Sequence, residues 1–143
     1  MTLNNTDSAY RIIVKNTQTI DAETDTIEEI AYGSYDEKNG KQYIRYKTEA
    51  DEQNGEISSI LILDGDSLTI KRRGHTNSSM VYRAGKKHAF PYETPYGIID
   101  MEIETDKLIS MIDENGGTIE LVYTLTVQDE KYYNDMKITV VKR

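Results

Sequence analysis

Apolar and polar residues alternate along most of this chain with a period of two. Between Ile98 and Thr105, the residues Ile99, Met101, Ile103 and Thr105 fall on one side and Asp100, Glu102 and Glu104 on the other. Ile119, Leu121, Tyr123, Leu125 and Val127 repeat the pattern, as do Met136, Ile138 and Val140, and near the start Tyr10, Ile12 and Val14. Successive side chains of a strand point to opposite faces, so this period predicts β-strands with one buried and one wet face. The alternation places strands at roughly 9–20, 26–36, 41–50, 56–64, 67–73, 79–84, 90–92 continuing through a bend to 98–105, 107–113, 117–128 and 131–142.

Turn chemistry separates these runs. Asn39-Gly40, Asn54-Gly55, Asp64-Gly65 and Asn115-Gly116 each lie between strand-like segments. Such pairs tolerate positive φ and suit tight hairpins, so the chain reads as an antiparallel meander. Pro91 and Pro95 bracket Tyr92-Glu93-Thr94, which predicts an edge, a bulge or a bend there. From Asp25 to Tyr32 a helical reading competes, since Asp25 and Glu28 resemble a capping box. The strand reading is preferred because Gly33 and Tyr35 lead directly into the Asn39-Gly40 hairpin. A long meander exposes two edges unless it closes, and the first and last strands are natural partners for closure. The expected fold is therefore all-β, a closed antiparallel up-and-down barrel of about eight to ten strands with little or no helix. Residues 9–143 form its single domain and residues 1–8 a poorly ordered tail.

Composition narrows the chemistry. There is no cysteine among the 143 residues, which excludes disulfides, zinc–thiolate sites and thiol nucleophiles. The start, Met1 to Asp7, lacks the basic and apolar run of a secretion signal, and no apolar stretch is long enough to span a bilayer as a helix. A cytoplasmic location is expected. The net charge is −8, but it is unevenly spread. No Asp or Glu occurs between Ser67 and Tyr92, where Lys71, Arg72, Arg73, Arg83, Lys86 and Lys87 fall.

Candidate site residues follow from strand phase. With Leu68 and Ile70 inward, alternation turns Arg72 inward too. A buried guanidinium needs a partner: an internal carboxylate, a Tyr hydroxyl or an anionic ligand. A position at the barrel rim, bonded to a loop carbonyl, is the alternative. The chain has eleven Tyr, one Phe and no Trp. Tyr82, Tyr92, Tyr96 and Tyr123 are candidates to line a polar pocket with Arg72, against the alternative of simple packing. Lys71, Arg73, Arg83, Lys86 and Lys87 would form a basic surface patch. His75 and His88 lie in expected loops without enough ligands around them for a metal site, and no metal or other cofactor is expected. No catalytic residue stands out.

Several of these segments also resemble a known family. Arg72-Arg73-Gly74, Met80-Val81-Tyr82 with Gly85, Tyr92-Glu93-Thr94-Pro95-Tyr96-Gly97, Met101 and Gly117 to Tyr123 are similar to the YwiB-like family of small bacterial proteins. The resemblance spans nearly the whole chain and is most specific at the Thr-Pro-Tyr-Gly corner. It implies a calycin-like, or lipocalin-like, barrel of unknown function, and it supplies no activity or functional residues. The chain lacks the Trp of the secreted lipocalins' Gly-x-Trp motif. Asp21-Ala22-Glu23-Thr24 leaves no room for the helical lid of fatty-acid-binding barrels.

Three functional readings stay open. The leading one is a non-enzymatic barrel binding a small molecule in a partly polar interior, with an anion as one candidate. The second is a protein-interaction module using the basic hairpin 71–88. The third is a small lyase- or isomerase-type enzyme with an interior Tyr/Arg site. Nucleic acid and membrane are not expected partners, whereas a homodimer is compatible with the sequence.

Overall fold

The computed structural model describes residues 9–51, 55–74 and 77–143. Ten strands follow in order: β1 Tyr10–Ile20, β2 Glu23–Lys38, β3 Lys41–Asp51, β4 Gly55–Asp64, β5 Ser67–Arg73, β6 Ser78–Arg83, β7 Lys87–Thr94, β8 Gly97–Asp113, β9 Gly116–Val127 and β10 Glu130–Lys142. No helix occurs among the described residues, and the Asp25–Tyr32 stretch lies inside β2. Every neighbouring pair is antiparallel, and the sheet runs β6-β5-β4-β3-β2-β1-β10-β9-β8-β7. The first and last strands do pair, from Tyr10 opposite Lys142 to Thr19 opposite Tyr133. This curls the meander into a nearly closed barrel whose two free edges, β6 and β7, meet. The expected tail, residues 1–8, lies outside the described residues.

The period-two pattern sets the core. Ile12, Ile44, Leu61, Leu68, Ile70, Ile103, Ile119, Leu121 and Ile138 are essentially fully buried. Their alternate neighbours, such as Glu102 and Lys137, face water. The lumen is thus filled with side chains, as is typical of small barrels. At Gly33 the strands cross so tightly that a Cβ would collide with the Arg45 carbonyl and the Ile12 side chain.

Two expected boundaries change. The segment read as one strand bending from 90–92 to 98–105 is a hairpin, β7 and β8, with Pro95-Tyr96 at its tip. The Thr94 hydroxyl fixes that turn, donating to the Gly97 carbonyl at 2.8 Å and accepting from the Tyr96 amide at 3.2 Å. The break expected between 105 and 107 is instead a β-bulge inside β8, with Asp106 as the extra residue. A bulge shifts the alternation by one without ending the strand, so it resembles a boundary in the pattern. Two further hairpins turn without glycine: Asp21-Ala22 and Gln128-Asp129 all take positive φ, from 48° to 69°. The Asn54-Gly55 turn lies partly outside the described residues.

The gap between β6 and β7 has a cause in the chain. Asn77 and Glu93 exchange both backbone hydrogen bonds at 3.1 Å. In an antiparallel ladder the next such pair lies two residues along on each strand, here Ser79 opposite Pro91. Proline has no N–H, so that pair cannot form both bonds and the ladder stops. At the far end the turn after β6 bonds to the bulge: Gly85 N–H donates to the Thr105 carbonyl at 2.8 Å, and Thr105 N–H to the Lys86 carbonyl at 3.1 Å. The barrel therefore has a seam pinned at both ends and unladdered between them.

Two outcomes are expected. Leu61→Ala, which empties a fully buried site, should cost about 2–5 kcal/mol in chemical denaturation. Pro91→Val restores the missing donor and should extend the β6–β7 ladder, seen as slowed amide exchange at Ser79 and Ala89 and a higher unfolding midpoint.

Candidate functional site

One row of cross-strand partners runs over the inner face of five strands. The registers place Gly33 opposite Tyr46, Tyr46 opposite Ser59, Ser59 opposite Arg72 and Arg72 opposite Ser78. Cross-strand partners point to the same face, so this row is a polar band on the inner face of the barrel. Arg72 keeps partial exposure as a residue, because it borders the seam, while its guanidinium lies deep among Tyr46, Tyr82 and Tyr123. Tyr46 and Ser59 are each 5% exposed, and the Tyr46 hydroxyl accepts hydrogen bonds from both Arg72 and Ser59. The Tyr82 ring meets Tyr123 edge-on at 4.9 Å, and the Tyr82 hydroxyl donates to the Met80 sulfur at 3.5 Å.

The electrostatics follow from this enclosure. Desolvation alone would lower the Arg72 pKa, but the three tyrosines and Glu29 outweigh it and the net shift is upward. Among the described residues no carboxylate forms an ion pair with Arg72. At neutral pH the tyrosines are uncharged, so oriented hydroxyls and the more distant Glu29 carry the compensation. Burial is the leading cause of the raised pKa of Tyr46, Tyr82 and Tyr123, with the shift largest at Tyr82.

Arg72 also lines a cavity of about 270 Å³ that opens at the seam. Lys71, Arg73, Asn77, Ser78 and Ser79 complete the lip from the β5–β6 hairpin, and Pro91 and Glu93 form the lip from β7. The Ser78 hydroxyl oxygen is buried and has no hydrogen-bond partner, as has that of Thr105, which is 1% exposed. Lys71 and Arg73 are exposed and unpaired among the described residues.

The candidates from sequence separate in space. Tyr82 and Tyr123 join Arg72 but stand behind it and do not line the cavity. Tyr92 packs against the core, again away from the cavity lining. Tyr96 does not join at all: it is 97% exposed at the β7–β8 tip, because the hairpin turns where a bend was expected. The basic patch is divided too. Lys71 and Arg73 sit at the cavity, whereas Arg83 pairs with Asp66 at 2.8 Å and Lys87 with Glu104 at 3.6 Å, and Lys86 lies in the turn between them. His88, expected in a loop, lies instead in β7 opposite Ile103 and stacks on Phe90, and His75 lies outside the described residues. Among the described residues no group of His, Asp and Glu is arranged to hold a metal ion. Sequence reasoning missed Ser59, Ser78, Asn77 and Glu93, which carry no signal until strand register is known.

The raised tyrosine pKa values set an alkaline limit. Below about pH 10 the tyrosines are protonated in both the folded and the unfolded chain. Above it the unfolded chain loses protons that folded Tyr46, Tyr82 and Tyr123 retain, so stability should fall as pH rises. Tyr82→Phe should flatten that decline in denaturation midpoints measured from pH 8 to 11; an unchanged slope would contradict the burial of this hydroxyl.

Comparison with known proteins gives the same architecture. The chain is 26% identical over 127 residues to the uncharacterized beta-barrel protein YwiB of Bacillus subtilis (strain 168), covering 88% of each chain. The crystal structure of the ywiB protein from Bacillus subtilis superposes with a TM-score of 0.85 at 21% identity, covering 96% of this chain and 94% of that one. The family described as "Domain of unknown function (DUF1934)" matches residues 12–140, nearly the whole barrel, and the chain belongs to it.

Proposed function

We propose that this protein binds a small anion at the β6–β7 seam and does not transform it. The observation that carries the reading is Arg72, a guanidinium enclosed by tyrosines, unpaired with any described carboxylate, and facing a cavity beside the partnerless Ser78 hydroxyl. Isolated charges are kept inside proteins only where something compensates them. A carboxylate or phosphate oxygen set fits the planar fork of arginine and would supply the missing acceptor to Ser78.

The ligand sits at the seam in this reading, displaced from the centre of the lumen, since apolar side chains fill the barrel axis. Pro91 keeps the site open by preventing the edges from zipping. Binding is favoured over turnover by the position of the tyrosines. Tyr82 and Tyr123 stand behind Arg72, outside the cavity lining, and burial keeps them protonated, so neither supplies a base to a bound molecule.

Thermal unfolding in sodium phosphate, sulfate or succinate at fixed ionic strength tests this reading. A bound anion stabilises the folded state by about 2.7 kcal/mol at a concentration 100-fold above its Kd. The midpoint of the native protein should rise with at least one of these anions. In Arg72→Met, which replaces the buried charge with an apolar chain of similar length, the rise should vanish while folding survives. An unchanged midpoint in all three salts would overturn the proposal.

A further inference from the structure

The two lips of the seam cavity differ in chemistry, and the difference points to a class of ligand. The lip from β5 and β6 is made of donors. Lys71, Arg72 and Arg73 contribute three positive charges, and Ser78 and Ser79 contribute hydroxyls. Asn77 also presents its NH₂ group, since its side-chain oxygen is occupied by the Gly74 amide at 3.3 Å. The lip from β7 carries a single polar side chain, the carboxylate of Glu93, which makes no ion pair among the described residues. Three positive charges against one negative leave the cavity at a formal +2, on a protein whose net charge is −8.

We infer that the site takes a phosphate monoester of a small hydroxylated or amino compound, an inference that rests on the anion-binding reading above. A carboxylate has two oxygens and one charge. A phosphate monoester carries three acceptor oxygens and a charge of about −1.5 to −2 at neutral pH. It offers more acceptors than a carboxylate to the donors of the β5–β6 lip, and its charge offsets the formal +2 of the cavity. Arg72 holds it by its fork, with Ser78 supplying the buried hydroxyl and Lys71 and Arg73 the long-range attraction at the mouth.

Glu93 decides what the phosphate is attached to. A carboxylate facing the anion site would oppose a bare phosphate. It rewards a ligand whose far end bears a hydroxyl or ammonium donor that reaches across the opening. The cavity volume is small: 270 Å³ is the liquid share of about nine waters. That suits a body of three or four carbons, and the open mouth lets a longer one project into solvent.

Calorimetric titration of the full chain with glycerol 3-phosphate, inorganic phosphate and succinate separates the claims. Glycerol 3-phosphate should bind about tenfold more tightly than either of the others, and Glu93→Gln should reduce its advantage over inorganic phosphate. If succinate matched glycerol 3-phosphate, the seam would remain an anion site and the phosphate assignment would be overturned. If inorganic phosphate matched it, the role given to Glu93 would fall. If none of the three bound, the anion-binding reading itself would be refuted.

Discussion

A single missing N–H shapes this barrel. Nine antiparallel strand pairings run around the sheet, and the tenth, between β6 and β7, stops after Asn77 and Glu93 because Pro91 cannot donate to Ser79. The cost of leaving two edges unladdered is a liability in most β proteins, since exposed edges recruit other chains. Here the same proline blunts the edge it creates: β7 offers no regular donor row to an incoming strand. The opening is kept at the one place where an enclosed arginine reaches the surface.

Arg72 and the seam depend on each other. Five strands in register carry the polar row from Gly33 to Ser78 across the inner face, and Tyr46, Ser59, Tyr82 and Tyr123 hold the guanidinium there. Were the ladder complete, the guanidinium would be sealed in a dry barrel with hydroxyls for company and Glu29 at a distance. With the seam open, its outer side can be satisfied by solvent or by a ligand. Away from the row, buried apolar side chains keep the lumen packed. That combination, a solid core supporting a narrow polar opening, is what a small-ligand site requires.

Much of this was legible in the chain, and the limits are physical. The period of two located the strands and the core face because apolar burial acts residue by residue. The inward phase of Arg72 came from the same count, two residues beyond Ile70. What the pattern hid depended on register. Ser59 faces Arg72 because the hairpin closes with Asp64 opposite Ser67, but Tyr46 faces Ser59 only after an irregularity between Glu49 and Asp51 shifts the β3–β4 pairing. The bulge at Asp106 hid the continuity of β8 in the same way, and the prolines on either side of Tyr92 to Thr94 led to a hairpin being taken for a bend, which misplaced Tyr96. The basic window between Ser67 and Tyr92 looked uniform in sequence, yet Asp66 and Glu104 reach it in space and neutralise Arg83 and Lys87. Charge patterns along a chain say little about the field around a fold until partners from distant strands are placed.

The most direct test of the seam as a binding site is a native mass measurement of the protein isolated gently from the organism that encodes it. A small anionic adduct should appear on the native chain and be absent from the Arg72→Met chain prepared in the same way. The bare polypeptide mass for both, or the same adduct retained by both, would contradict it.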